Sequence, residues 1–340
     1  MKEKNLLRYI EIAYKKFKNN VFFDKSAANA RNRIMAFEKE DIETKLKKIA
    51  KNIETLNDDN WFSYRSKILK TIGVSVLPKK LDEIKTENNY IINKNINEDI
   101  NIEEFQYMID ISIEGHVLGV LWIILIGRYL DNKESMYQYS YGNRLRRTIF
   151  DDNKDVSYYP GLFESYFSQY TTWRDKSVEI AQKELNDGND VIILTMDFKR
   201  FYYSVNYTRE EFEYFFNIVN NKQKGKAAQD KIVLGRLNDF IYAVIEEYSR
   251  KLHAIVKDEN LWEYIDKNKA TDNNVLPIGF LPSCILANMR LDSFDKHVIT
   301  RWNPLYYGRY VDDIIIVDKI DKKSLIYNEI FINNVLRMKL

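Results

Sequence analysis

The stretch Tyr306-Tyr-Gly-Arg-Tyr-Val-Asp-Asp-Ile-Ile-Ile-Val317 constrains the fold more than any other. Two apolar, β-prone runs flank a polar break, so the pattern predicts two short strands joined by a tight hairpin. The break is a pair of adjacent carboxylates, Asp312 and Asp313, which a turn would hold at the tip instead of in the pleat. Like charges side by side are unfavourable unless a cation lies between or in front of them. Magnesium suits such a place, because it takes one or two protein carboxylates and completes its shell with substrate phosphates and water.

A second apolar run also ends in an acid. Asp190-Val-Ile-Ile-Leu-Thr-Met-Asp197 continues into Phe198-Lys-Arg-Phe-Tyr-Tyr-Ser204. An unbroken apolar run predicts a strand buried on both faces. Laid beside the hairpin, it would bring Asp197 and Asp312 to one edge of a sheet. That geometry suits a two-metal site for phosphoryl transfer.

These two segments, with a third between them, resemble motifs A, B and C of reverse transcriptases, in that order. Asp197 with Tyr202 matches the first, Leu276-Pro-Ile-Gly279 with Ser283 and Leu286-Ala-Asn288 the second, and Tyr310-Val-Asp-Asp313 the third. Upstream, Ser140-Tyr-Gly-Asn-Arg-Leu145 and Tyr166-Phe-Ser-Gln-Tyr-Thr-Thr-Trp-Arg174 look like the run before motif A in bacterial abortive-infection and defence-associated reverse transcriptases. Phe280 and Pro282 depart from the small or hydroxylated residues more usual in motif B.

The resemblance implies RNA-directed DNA synthesis in antiphage defence, with an RNA template, a DNA product and deoxynucleotides as substrates. It implies two Mg²⁺ ions, with Mn²⁺ as a substitute, held by Asp197, Asp312 and Asp313 and by the backbone carbonyl of Phe198. It makes Tyr202 the aromatic that packs beneath the sugar and excludes a 2′-hydroxyl. From the residues alone, Tyr202 also reads as a core aromatic clustered with Phe201 and Tyr203. Gly279 would let the backbone lie close to the nucleotide, and Ser283 and Tyr310 would meet template or primer. Arg144 would steady the triphosphate, and Arg146 and Arg147 would touch template phosphate. Without the resemblance, the tyrosine-interleaved basic stretch Tyr137–Arg147 is either a nucleic-acid contact or an arginine-rich surface turn.

The expected architecture is α+β: a helical N-terminal region over 1–135, a fingers-like segment over 136–190, and a right-hand palm with an antiparallel sheet over 191–340. No counterpart of the lysine motif, primer grip or helical thumb of the resembling enzymes is read after Asp313. The expectation is therefore a truncated product, or a protein or RNA partner that supplies the clamp. Two other readings remain open. One is an RNA-synthesising or template-independent nucleotidyl transferase on the same palm. The other is a non-catalytic nucleic-acid-binding subunit.

Composition adds exclusions. With 52 Lys and Arg against 50 Asp and Glu, the net charge is +2, so any basic surface must be local and not a property of the whole chain. Lone Cys284 rules out an internal disulfide and a multi-cysteine zinc site, and reads as a small buried residue on a helix. The histidines His116, His253 and His297 are scattered and read as structural. No secretory leader opens the sequence, and the most apolar stretch, Val117–Gly127, is short for a bilayer span. The expectation is a cytoplasmic protein with no membrane partner.

Local patterns predict further elements. Helices are expected from residue 4 to about 58, over Phe105–Tyr129, over Trp173–Leu185 and over Lys231–Val256. Thr208-Arg-Glu-Glu211 is a capping box that opens another. Leu81–Asn101 reads as a linker, and Pro282 suits the first turn of a helix.

Overall fold

The computed structural model describes residues 3–24, 27–81, 102–131, 138–146, 161–222, 228–256 and 274–320. The chain is α+β and mostly helical, with two small antiparallel sheets. Four helices come first: α1 (Glu3–Phe23), α2 (Ala28–Phe37), α3 (Ile42–Glu54) and α4 (Asp58–Leu69). On α1, Leu6, Ile10, Ala13, Phe17 and Val21 recur at helical spacing and are all buried. On α3 the stripe is Leu46, Ile49, Ala50 and Ile53. Asp41 caps α3 by accepting from the Glu43 N–H, and Asn57 caps α4 by accepting from the Asn60 N–H.

A hairpin follows, where helix was expected at its second strand. Strand β1 (Gly73–Leu81) pairs with β2 (Ile102–Asp110), from Gly73 opposite Asp110 to Leu81 opposite Ile102. The apolar run from Phe105 hides two periods. Tyr107 and Ile109 are buried while Met108 and Asp110 are only half-buried, a strand alternation. The helix begins only after Ser112, whose hydroxyl accepts from the Gly115 N–H as its N-cap. Most of the expected Leu81–Asn101 linker lies outside the described residues.

Helix α5 (Ile113–Trp122) runs through a π-helical turn (Ile123–Gly127) into α6 (Arg128–Asp131). This 19-residue segment is longer than the apolar run Val117–Gly127 suggested, and its length and apolar composition alone would suffice to cross a membrane. Yet 83% of its most apolar window is buried inside the protein. Among the described residues no other helix passes the same test. His116, on α5, stacks on Phe17 with ring centroids 4.4 Å apart, and burial drives its pKa down to about 3, so it is neutral and structural.

The second sheet is built from β3 (Val191–Asp197), β4 (Tyr306–Tyr310) and β5 (Asp313–Lys319), in the order β3-β5-β4, antiparallel throughout. Between β3 and β4 lie α8 (Phe201–Ser204), α9 (Arg209–Lys222), the 28-residue α10 (Ala228–Ile255), α11 (Leu281–Arg290) and α12 (Asp292–His297). Helix α7 (Tyr166–Asn186) precedes β3 and packs across the sheet. The expected capping box forms: Thr208 N–H donates to Glu211 at 2.8 Å, and Glu211 N–H donates to the Thr208 hydroxyl at 3.2 Å. Pro282 sits in the first turn of α11.

One expectation is reversed inside this sheet. The strand covered on both faces is β5, whose Ile314–Val317 are all buried, whereas β3 is an edge strand with Ile193 49% exposed. The cause is where the covering helix lies. Trp173 and Ala181 of α7 cluster with Tyr306 of β4 and with Ile315 and Val317 of β5, and only Val191 of β3 reaches them. On the opposite face, Leu194 and Met196 pack against the main core, which runs from Leu6 to Ile316. The helical N-terminal part and the later sheet thus share one interior.

Candidate active site

The hairpin expected from sequence forms, and its turn is the two residues Val311 and Asp312 between β4 and β5. Val311 has φ +60°, a left-handed conformation that a β-branched residue rarely adopts. Tight hairpins require positive φ at such a position. Strain of this kind, on the order of 1–3 kcal/mol, persists only where the surroundings over-determine it.

Those surroundings can be named. Arg309 is completely buried, and its guanidinium donates to both oxygens of Asp295 at 2.8–3.0 Å. The same group donates to the side-chain oxygen of Asn288 at 2.7 Å, to its backbone carbonyl at 3.1 Å, and to the Val311 carbonyl at 3.3 Å. Tyr307 adds a hydroxyl donated to Asp295 at 2.5 Å. Asn288 in turn donates to the carbonyls of Gly142 and Asn143, and Tyr141 N–H donates to the Arg309 carbonyl. Gly142 lies so close to the turn that a Cβ there would meet Val311 Cγ2 at 2.7 Å and Val311 N at 2.8 Å. Every polar partner fixes the backbone that carries Asp312.

The register brings two distant acids together. Asp197, at the end of β3, lies directly opposite Asp313 on β5, and Phe198 N–H donates to the Asp312 carbonyl at 3.4 Å. Like charges directly opposite across strands destabilise a sheet. Burial first, and then the fields of Asp197 and Asp313, push the Asp312 pKa up to about 6; Asp313 is raised by burial and by Asp197. The opposing cation in the field of Asp312 is Lys79 of β1, which pairs with Glu104 at 3.0 Å.

The donor set is hard oxygen, which suits Mg²⁺ or Mn²⁺ and not a softer metal. Among the described residues, no three His, Cys, Asp or Glu side chains converge closely enough to enclose an ion on their own. Mg²⁺ ordinarily takes one or two protein carboxylates and completes its shell with phosphates and water. The Phe198 ring packs on Phe201 and Phe294.

Tyr202 and Gly279 meet in a cavity of ≈590 Å³, together with Asn143, Phe280 and Cys284. Gly279 has φ +88°, and a Cβ there would press on Met108 Cε at 3.1 Å. Leu276 N–H donates to the Tyr202 carbonyl at 3.0 Å, which ties this segment to the one that follows Asp197. Burial, and then the fields of Cys284 and Asp312, hold the Tyr202 hydroxyl well above its usual pKa. Cys284 is half-buried and its thiol is hydrogen-bonded with Tyr202; burial pushes its pKa to about 11.

Of the other expected residues, Tyr310 stays at the hairpin, opposite Asp313, and the rest lie elsewhere. Tyr310 belongs to an aromatic group, edge-on to Tyr166 and Tyr170 at 5.3 and 5.5 Å and beside Trp173. Tyr166 itself is largely exposed. Ser283 is buried on α11, and its hydroxyl has no hydrogen-bond partner. Arg144 is turned inward: it is 2% exposed, faces the Asp131 carboxylate at 3.4 Å and donates to the Asp131 carbonyl at 2.7 Å. Asp131 also accepts from the Leu145 N–H, and burial raises its pKa against the pull of Arg144. Arg146 donates to the Phe163 carbonyl at 2.6 Å. Arg147 lies outside the described residues. Thus Asp197, Asp312 and Asp313 come together, Tyr202 and Gly279 come together beside them, and the arginines do not join either group.

Sequence reasoning passed over Arg309 as an anchor, although a lone guanidinium amid a buried apolar strand is itself a signal. It also passed over Lys79, which no local pattern distinguishes from its neighbour Lys80. Compared with known proteins, the chain matches no protein-family model and no curated sequence.

Proposed function

We propose that this chain is the nucleotidyl-transfer core of an RNA-directed DNA polymerase, with a right-hand palm formed by β3, β4, β5 and the helices packed on them. The observation that carries the reading is the ladder register that sets Asp197 against Asp313, with Asp312 at the strained turn between β4 and β5. In the reaction, a primer 3′-hydroxyl attacks the α-phosphate of a deoxynucleotide, the new P–O bond forms, and pyrophosphate leaves. Mg²⁺, held by Asp197, Asp312 and the Phe198 carbonyl with Asp313 alongside, would neutralise phosphate charge and activate the attacking oxygen when bound.

The chain's own part is positioning. The Arg309–Asp295–Asn288 network fixes the turn before any substrate arrives, so the carboxylates need no reorganisation. Tyr202 lines the cavity where a sugar would lie, beside the Cβ-free surface of Gly279. The resemblance of the upstream segment supports a role in antiphage defence, and a protein or RNA partner would complete the grip on primer and template.

The test is incorporation by the purified chain on primed RNA with Mg²⁺, comparing dNTP and NTP. Asp197→Asn and Asp312→Asn should each abolish incorporation without lowering the melting temperature. Tyr202→Ala should raise NTP use relative to dNTP. Synthesis that survives Asp197→Asn would refute the reading. RNA binding with steep salt dependence and no synthesis under any condition would favour the binding-subunit alternative.

A further inference from the structure

A second concave site lies away from the carboxylates, between α3, α4 and the start of α5. Its volume is ≈400 Å³, within the range of small-molecule sites. It shares no lining residue with the cavity around Tyr202. Lys48 and Lys51 of α3 stand one turn apart on one face, and Lys67 of α4 faces them across the groove. None of the three pairs with a carboxylate, although on the same helix Lys45 pairs with Glu40 and Lys47 with Glu43. The Tyr64 hydroxyl also lines the groove, buried and without a hydrogen-bond partner. Its ionisation is opposed by burial and by the charge of Glu114, so it remains a donor at neutral pH. Among the described residues, Glu114 is the one carboxylate lining the groove.

Three uncompensated ammonium groups and a buried hydroxyl donor call for an anion rich in acceptor oxygens. A carboxylate beside them calls for hydroxyl donors on the same ligand, the pairing by which acidic residues hold ribose in nucleotide sites. We propose that the groove is a metal-independent site for a phosphorylated ribose: its phosphates lie among Lys48, Lys51 and Lys67, its phosphate oxygen accepts from Tyr64, and its sugar hydroxyls donate to Glu114. The ligand is a ribonucleotide, either free or at the 5′ end of an RNA. The site stands whether or not the β3–β5 carboxylates catalyse anything.

Calorimetry in EDTA tests it, because binding through Mg²⁺ at the carboxylates is then silent. The probes are ATP, dATP, pyrophosphate, and a short RNA with and without a 5′-phosphate. ATP or the 5′-phosphorylated RNA should bind, and whichever does identifies the source of the ligand. The triple variant Lys48→Gln/Lys51→Gln/Lys67→Gln should weaken that binding at least roughly tenfold, since charge-assisted bonds carry it. The three lysines are solvent-exposed, so the variant should melt as the wild type does. Tyr64→Phe should weaken binding several-fold, and Glu114→Gln should weaken ATP more than pyrophosphate. Binding should persist unchanged in Asp197→Asn/Asp312→Asn. No heat with any probe, or affinity indifferent to the lysine triple variant, would overturn the site. Equal effects of Glu114→Gln on ATP and pyrophosphate would overturn its ribose half.

Discussion

Replacing Asp312 with Asn should stabilise the metal-free protein. In the fold, burial and the fields of Asp197 and Asp313 raise the Asp312 pKa from 3.8 to about 6. A raised pKa means that the folded chain binds this proton more tightly than the unfolded chain does, so the associated stability is present below pH 3.8 and is lost as pH rises through about 6. At about 1.4 kcal/mol per pKa unit the ionised group would cost at most about 3 kcal/mol at pH 7, and solvent screening at the half-buried tip reduces that to roughly 1–2 kcal/mol. Urea unfolding in EDTA, with matched m-values, is the assay. Asp312→Asn should be the more stable protein by about 1–2 kcal/mol at pH 7, with the difference shrinking as pH approaches about 4. Millimolar Mg²⁺ should then narrow the gap at pH 7, because only the wild type gains stability by binding it. A variant less stable than wild type at pH 7, or a gap that does not change with pH, would refute the electrostatic account of the turn.

Other consequences follow from the packing. Asp295→Ala leaves the buried Arg309 guanidinium without its carboxylate and should lower stability by about 3–5 kcal/mol, measured by urea unfolding. Arg309→Met with Asp295→Leu should recover much of that loss while degrading any activity that needs the turn fixed. Gly142→Ala puts a methyl against Val311 and should destabilise by about 1–3 kcal/mol, with the hairpin amides losing hydrogen-exchange protection first. Thr208→Ala removes half of a capping box and should lower stability by about 1 kcal/mol. Arg144→Ala should act through stability, by breaking its pair with Asp131; a raised Michaelis constant for nucleotide in a fully folded variant would restore the triphosphate role instead.

What was legible in the sequence was local. The Asp-Asp hairpin, the capping box at Thr208 and the proline at the start of α11 each depend on residues a few positions apart, and each formed. The meeting of Asp197 with the hairpin was legible at one remove, because two acid-terminated apolar runs of similar length align naturally. Ser112 was missed as a helix start because the apolar residues on both sides of it blend two periodicities into one run. The exposure of Ile193 could not be read, since it depends on how far α7 extends over the sheet and not on anything within β3. The inward turn of Arg144 has the same origin: Asp131 is its partner only because the end of α6 and the segment 138–146 are packed together. Charge in sequence does not say which way a side chain faces.

Asn143 accepts from Asn288, borders the cavity beside Tyr202, and directly follows the glycine wedged against Val311. Anything that fills the cavity therefore leans on a residue one peptide bond away from the seat of the turn. Pocket occupancy should therefore be felt at Asp312 through that short stretch, and a ligand there would retune the acidic tip without touching it.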